Sequence, residues 1–297
     1  MLLIFDITVA WLYTFAGMTW LSLPALPLSM IGGALSVFLA FRNNSAYDRW
    51  WEARTLWGGL VNTARTFARQ VLTLVDADEK SGEADLFGGE GAPSIVPSTD
   101  FVSRRMLVEL QIAYVHALRC HLRKQNPFPE FEKTLAPDLL GYLRSQKNVP
   151  AAILLLKARI LRKLYDGGRL DSFRFTAIDQ SLTDLCNIQG GCERIKNTPL
   201  PRQYDYLPRV LIIGYCFLLP FGLVEGMQMM TPLASTLVSF IFVALDTIGR
   251  NIEDPFEYTV HDTPMSTLTR MIEINLRQNL GEDNLPAAVQ PVEGFSY

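Results

Sequence analysis

The 297-residue chain carries 27 Lys and Arg against 30 Asp and Glu, a formal net charge of −3, and 49 % of it is hydrophobic. No basic stripe exists to displace counterions, which excludes a nucleic-acid binder. No Lys or Arg occurs from Met1 to Phe41 or between Arg209 and Arg250, and such blocks are the pattern of multi-pass membrane proteins rather than of a soluble domain.

Residues 2–23 are apolar apart from Asp6 and a few Thr, Ser and Gly, and match the roughly 20 residues of a spanning helix. The N-terminus has neither a basic n-region nor a small-residue cleavage site, so a cleaved signal peptide is not expected. Pro24 and Pro27 make a turn. A second span is expected over 28–48, where the strictly apolar run ends at Phe41 and is short for lipid. Its helix does not stop there. Trp50, Ala53, Trp57, Leu60, Ala64, Phe67, Val71 and Leu74 recur at steps of three and four, so one helix continues to residue 75, with 49–75 outside the membrane.

Residues 76–100, acidic and rich in Gly, Ser and Pro, read as a flexible surface loop. Helical patterns follow at 101–125, 130–146, 151–166 and 171–196, punctuated by Pro127, Pro129 and Pro150. Spans are expected at 207–224 and 232–250, with the turn at Glu225 between them, and a last amphipathic helix at 264–280 ends at Gly281. Residues 282–297 are a tail. The positive-inside rule places the Pro24–Pro27 and Glu225–Thr231 turns outside and both chain ends in the cytoplasm.

Catalytic signals are poor: there is no Gly-rich phosphate loop, no HExxH and no GxSxG. The cysteines Cys120, Cys186, Cys192 and Cys216 lack framework spacing and read as free thiols. His116 and Cys120 share a helix face and are a weak metal pair without further ligands. Asp246, Glu253 and Asp254 have two open readings, a polar path at the inner end of the fourth span or helix-end carboxylates meeting water. On the second helix, Gly33, Val37 and Phe41 hold one face at steps of four. A ring of such helices would enclose an apolar constriction above a vestibule edged by Asn43, Asn44 and Asp48, with Arg49 and Glu52 further along. Apolar constrictions gate by dewetting, because an ion loses its hydration there without replacement.

Three blocks, "FRNNSAYDRWWEARTLWG", "GGCERIKNTPLP" and "DTIGRNIEDPF", resemble signature segments of bacterial bestrophins and occur in the same order. The family residues in them include Trp50, Trp51, Cys192, Glu193, Arg194, Asp254, Pro255 and Phe256. The resemblance covers residues 1–281 as one channel domain. It implies an all-α membrane protein with four spans and a helical cytosolic part, assembled as a homopentamer around one pore. It further implies passive transport of small monovalent ions, chloride in the family name and cations such as sodium in some bacterial relatives. Neither an enzyme nor a cofactor is implied. The neck maps to Gly33, Val37 and Phe41, with Gly33 departing from the usual larger residue. A second, cytosolic constriction maps to Ile178, or alternatively Thr176. The Asp254-Pro255-Phe256 block is followed by "EYTVHD", a poor calcium cage, so no calcium clasp is expected. The first span begins where relatives usually carry a leading segment, as a truncated gene product would. Asp48, Glu52 and the acidic loop favour cations, whereas Arg42 and Arg49 favour anions. The rival readings are a non-conducting membrane scaffold that binds partners through its cytosolic helices and a metal enzyme at His116 and Cys120.

Overall fold

The computed structural model describes residues 2–76, 99–291 and 294. The described residues form α1 (Leu2–Thr14), α2 (Ala25–Leu74), α3 (Thr99–Leu122), α4 (Phe128–Phe131), α5 (Pro137–Arg144), α6 (Val149–Asp166), α7 (Ser172–Asn197), α8 (Arg202–Met227), α9 (Thr231–Glu253) and α10 (Met265–Asn279). Short 3-10 turns lie at Thr19–Leu21 and Gln228–Met230, and no strand occurs among the described residues. Most of the acidic segment expected as a loop at 76–100 lies outside the described residues.

The chain divides into two compact units, residues 1–51 with 198–255 and residues 52–197 with 256–297. The continuous α2 passes from one to the other after Trp51. Its 50 residues make a rod of roughly 75 Å at about 1.5 Å per residue. That exceeds the roughly 30 Å of a hydrocarbon core more than twofold.

The first unit is a bundle in which α1 packs on α8 and α9, and α8 packs on α9. Leu28, Leu35 and Leu39 of α2 meet Ile212, Tyr215, Cys216 and Leu219 of α8 and Phe242 of α9 in its core. A Cβ at Gly32 would collide with the Tyr215 hydroxyl, so this glycine sets the close approach of α2 and α8. Ser22 Oγ donates to Glu225 Oε2 at 2.6 Å and ties the two interhelical turns together. The first apolar run does not form one spanning helix. It ends at Thr14, short of the expected 2–23, because Gly17 takes φ +68° and the chain turns before the 3-10 segment. Pro27, expected in the turn, sits in the first turn of α2, where its missing N–H leaves no helical bond unmade.

Two segments are long and apolar enough to cross a membrane, Thr19–Leu74 and Gln203–Glu253. Only 22 % and 39 % of their most apolar windows is buried. A helix from the core of a soluble protein would be mostly buried, so these faces need an apolar environment outside the chain.

The second unit is built around α3, which packs on α6, α10 and α7. The α2 stripe expected from periodicity is its spine: Ala53, Trp57, Leu60, Ala64, Phe67 and Val71 are all 0 % exposed. Each large apolar side chain so buried contributes about 1.5–3 kcal/mol against exposure. The segment expected as one helix over 130–146 is two, α4 and α5. Ala136 is extended (φ −60°, ψ 145°) ahead of Pro137, a residue position where α geometry is disfavoured. Asn148 caps α6 by accepting from Ala151 N at 3.1 Å, and Pro150 falls inside the first turn rather than before it.

Candidate functional site

The two faces of α2 within the first unit differ in chemistry. Leu28, Gly32, Leu35, Leu39, Arg42 and Ala46 follow one another at helical spacing on the packed side, and all are buried. The opposite face presents Gly33, Val37, Phe41, Asn44 and Asp48. Val37 is 57 % and Phe41 68 % exposed, large values for apolar side chains on a helix whose other side is packed. A Cβ on Gly33 would meet nothing within 4 Å, so that position faces open space. The three candidate neck residues thus lie on one stripe that their own chain leaves uncovered.

The rotation of this stripe is fixed one residue beyond Phe41. Arg42 is 1 % exposed and reaches into the bundle, where Nη1 donates to Asp246 Oδ1 at 2.6 Å and Nη2 to Asp205 Oδ1 at 3.0 Å. Glu253 Oε2 lies 3.6 Å from the same guanidinium, and Arg250 also pairs with Asp246 and Asp205. A planar fork held by carboxylates from α8 and α9 locks both the depth and the turn of α2. Asn43 adds a second clamp: its Nδ2 donates to the Leu245 carbonyl at 2.9 Å, and its Oδ1 fills the space a side chain at Gly249 would occupy.

These contacts revise several expectations. Arg42, read in the sequence as an anion-favouring charge, faces the protein interior. Asp246 and Glu253 neither line a polar path nor simply meet water, since both face Arg42. Asn43 is turned onto α9. Arg49 donates to the Glu253 carbonyl at 3.1 Å and the Thr198 carbonyl at 2.6 Å, so it too is committed inside its unit. Glu52 pairs with Arg194 in the second unit. Of the five vestibule candidates, Asn44 and Asp48 remain on the uncovered stripe, 3.4 Å apart side chain to side chain. The Arg42 anchor was missed in the sequence, although the 28-35-39-42-46 spacing carries its signal, because a lone Arg after an apolar run reads as a membrane-edge charge.

Ile178 is 0 % exposed in the core of the second unit, and an enclosed side chain does not line a lumen. Thr176, two residues earlier, is exposed on the same helix. Phe173, at the start of α7, is 87 % exposed. The family residues serve packing and pairing. Cys192 is 0 % exposed, and burial pushes its thiol up to about 12. Glu193 accepts from Asn148 at 2.9 Å and from Gln189 at 2.8 Å, and His121 lies 3.3 Å away. Trp50 and Trp51 lie beside Tyr47, with ring centroids 6.1 and 6.4 Å from it. Pro255 is buried beside exposed Asp254, and Phe256 is 0 % exposed. In the segment after it, Glu257 pairs with Lys196, and Asp262 closes its own turn by accepting from Thr259 N at 3.0 Å.

His116 and Cys120 do not converge on a metal position. The His116 ring is held between two carboxylates, Nε2 3.0 Å from Glu273 and Nδ1 3.3 Å from Glu130. Burial works against the imidazolium, but these two partners outweigh it and raise the His116 pKa. The same contact, with Arg119, draws Glu130 down to about 2. Cys120 Sγ instead faces the Arg119 guanidinium at 3.7 Å. Among the described residues no group of three or more His, Cys, Asp or Glu is arranged to hold a metal ion. A groove of about 430 Å³ between α6 and α7 is lined by Leu154, Leu182, Cys186, Gln189 and Glu193 among others.

Comparison with known proteins agrees with this architecture. The family model described as "Bacterial/Fungal Bestrophin protein" matches residues 1–278. A voltage-dependent anion channel-forming protein of Ralstonia nicotianae is 38 % identical over 89 % of this chain and 80 % of its own length. A protein of the same description from Salmonella typhi is 35 % identical over 88 % of this chain and 78 % of its own. The crystal structure of a bacterial bestrophin homolog from Klebsiella pneumoniae superimposes with a TM-score of 0.84 at 28 % identity, covering 95 % of this chain and 97 % of that one. With a helical fold matched over nearly its whole length and a family match that takes in all three sequence blocks, the chain belongs to the bacterial and fungal bestrophin family.

Proposed function

We propose that the protein is a passive channel for small monovalent ions, with its narrow neck lined by the uncovered face of α2. The observation that carries this is the stripe of Gly33, Val37 and Phe41, held outward by the buried Arg42 anchor on the opposite side. Apolar side chains on a rigid, rotationally fixed helix suit a ring around an axis, where dewetting opposes ion entry. The ring requires several copies, and a homopentamer in the inner membrane with cytoplasmic termini is the assembly we infer. The first part of α2, α8 and α9 supply three of the four expected crossings, and α1, 13 residues long and so shorter than a full span, packs on α8 and α9 as the fourth apolar segment. The blocks without Lys or Arg and the basic residues that flank them support this orientation. No catalytic residue takes part. Thr176, rather than Ile178, is assigned to the cytosolic constriction, since it is exposed where Ile178 is enclosed.

The curated relatives are described as anion channel-forming, which makes anions the first class to test for this chain. Burial of Arg42 removes one anion-favouring group from the lumen, while Asp48 stays on the uncovered stripe. Reversal potentials in a salt gradient across a planar bilayer give the sign of the permeant ion directly. In the same bilayers Phe41→Ala and Val37→Ala are expected to raise unitary conductance or open probability, by roughly a doubling or more for the larger truncation. Unchanged currents from both variants would remove the neck from α2.

A further inference from the structure

In the first unit, Asp6 of α1 is 0 % exposed on an otherwise apolar helix. Its Oδ2 accepts from Thr236 Oγ1 of α9 at 3.0 Å, while its Oδ1 has no hydrogen-bond partner. No basic residue lies on α1. On α9 the nearest is Arg250, fourteen residues beyond Thr236 and so about 21 Å along the helix. A carboxylate in such surroundings is expensive unless something compensates it.

The hydroxyls of α9 repeat the anomaly. Thr231, Ser235 and Ser239 are 0, 0 and 2 % exposed; the oxygens of Thr231 and Ser235 have no hydrogen-bond partner, and that of Ser239 meets only the Cys216 thiol of α8. Ser and Thr in helices normally return a bond to the carbonyl four residues back. Other hydroxyls of this unit do so: Thr8 to Ile4, Ser36 to Gly32, Ser45 to Phe41 and Thr247 to Val243, at 2.8, 2.8, 3.0 and 2.8 Å. Ser235 and Ser239 have the same carbonyls available and leave them unused. Ser239 lies against the Cys216 thiol of α8, which in turn lies within the field of Asp6. The bundle interior therefore holds an unpaired carboxylate oxygen and a row of hydroxyl oxygens that no oxygen or nitrogen of the protein satisfies.

Oxygens that touched would hydrogen-bond. Ligands of one hard cation, each about 2.4 Å from it, stand up to about 4.8 Å apart and do not touch. A single carboxylate among neutral hydroxyls matches a single positive charge, whereas a divalent ion would leave one charge uncompensated in an apolar bundle. We propose that Asp6, with the hydroxyls of Thr236, Ser239 and Ser235, forms an intrasubunit binding site for a small dehydrated monovalent cation, sodium foremost, which joins α1 to α9. The site belongs to the interior of one protomer. It shares no residue with the uncovered stripe of α2, so it stands whether or not that stripe lines a pore.

The test is thermal unfolding of the purified full chain in nanodiscs, with sodium chloride titrated against choline chloride at constant ionic strength. Ion binding to the folded state alone is expected to raise the unfolding temperature saturably, by about 2–4 °C. Radiolabelled sodium should bind in the same range. Asp6→Asn should abolish both responses. Ser239→Ala and Ser235→Ala, milder changes that keep the bundle packed, should shift the half-saturating sodium concentration upward several-fold. Val37→Ala should respond as wild type. Equal stability in sodium and choline would overturn the proposal. So would a sodium response that survives in Asp6→Asn, or in both serine variants if Asp6→Asn does not fold. A response to pH with none to sodium would identify Asp6 as a proton site instead and equally overturn it.

Discussion

The two units solve opposite solvation problems with the same secondary structure. In the unit built from residues 52–197 and 256–297, the large apolar side chains are inside: Trp57, Phe67, Leu107, Leu110 and Leu118 are all 0 % exposed. In the other unit the arrangement is inverted. Ile4, Trp11, Met30, Leu233, Leu237 and Phe240 point outward, while Asp6, Arg42, Ser235, Ser239 and Asp246 are buried. A hydrophobic driving force explains the first pattern. Where the exterior is itself apolar that force vanishes, and small residues, close approach and polar pairs hold helices together instead. The pairing of Gly32 with Tyr215 and of Arg42 with its carboxylates is that second kind of glue.

The sharpest way to break this contrast is at Arg42. Arg42→Met keeps the bulk but leaves Glu253 without its cation and Asp246 and Asp205 with Arg250 alone. Removing one partner of a buried pair costs about 3–5 kcal/mol, and the half-exposed Asp205 places the expectation at the lower end. The measure is the fraction of folded oligomer recovered in detergent, which should fall steeply, whereas Arg42→Lys should keep part of it. Full recovery of Arg42→Met would mean that the cluster does not anchor α2.

A paired substitution compares the two exteriors directly. Leu237 and Phe173 are 58 % and 87 % exposed, one in each unit. Leu237→Arg should destabilise by about 2.5–3.5 kcal/mol in a bilayer, the figure for a basic residue at a spanning helix centre. Phe173→Arg should change stability by about 0.5 kcal/mol or less, as surface substitutions do. Equal effects in nanodisc unfolding experiments would show that both faces meet the same medium.

Much of this contrast was legible in the sequence. The α2 stripe from Ala53 to Val71 followed from steps of three and four, since burial by one's own chain leaves a periodic trace. The uncovered face Gly33, Val37 and Phe41 was found by spacing and by family resemblance. Asn43 and Arg49 were expected at a vestibule edge but turn inward, because a polar residue at the end of an apolar run has two destinations, water or a partner across the bundle, and periodicity in residue type does not distinguish them. Ile178 was taken for a constriction by register with a family block. The structure puts it on the buried side of α7, and a shift of two residues on a helix is enough to reverse its face. The early stop of α1 depends on the φ of Gly17, a local choice that an apolar run conceals.

Within the unit built from residues 52–197 and 256–297, two buried basic side chains, His116 and Lys157, depart from its pattern and should titrate in opposite directions. His116 has a raised pKa, so its contribution is complete below the ordinary value of about 6.5 and is lost as pH rises through the folded value. Its partner Glu130, drawn down to about 2, contributes fully above its ordinary range near 4.3 and loses that only as pH falls toward 2. Unfolding temperature should therefore decline on the alkaline side of pH 6.5 by a slope that His116→Gln removes. Parallel curves for the two proteins would detach the histidine from stability.

Lys157 carries the smallest and most informative change. It is 0 % exposed, with Gln111 Oε1 at 2.5 Å and the rings of Phe67 and Tyr114 at 4.5 and 4.8 Å, and no carboxylate among the described residues is paired with it. Burial holds its pKa well below that of a free lysine, so the amine is favoured in its neutral form inside the core. The unfolded chain binds a proton that the folded chain does not, so stability rises with pH from the depressed folded value up to the free value of about 10.4. That slope is opposite in sign to the one from His116 and overlaps it, and the two are separated by comparing single variants. Lys157→Met fills the same volume without an amine. It should flatten the rising slope and leave stability at neutral pH equal or higher by about 1 kcal/mol, because a buried ionisable group is exchanged for an apolar one of similar shape. A loss of stability in Lys157→Met would show instead that the lysine is charged and held by its two aromatic rings, the arrangement a cation–π cage provides. This unit would then use buried charge as the other uses Arg42, and the contrast between them would narrow to their surfaces.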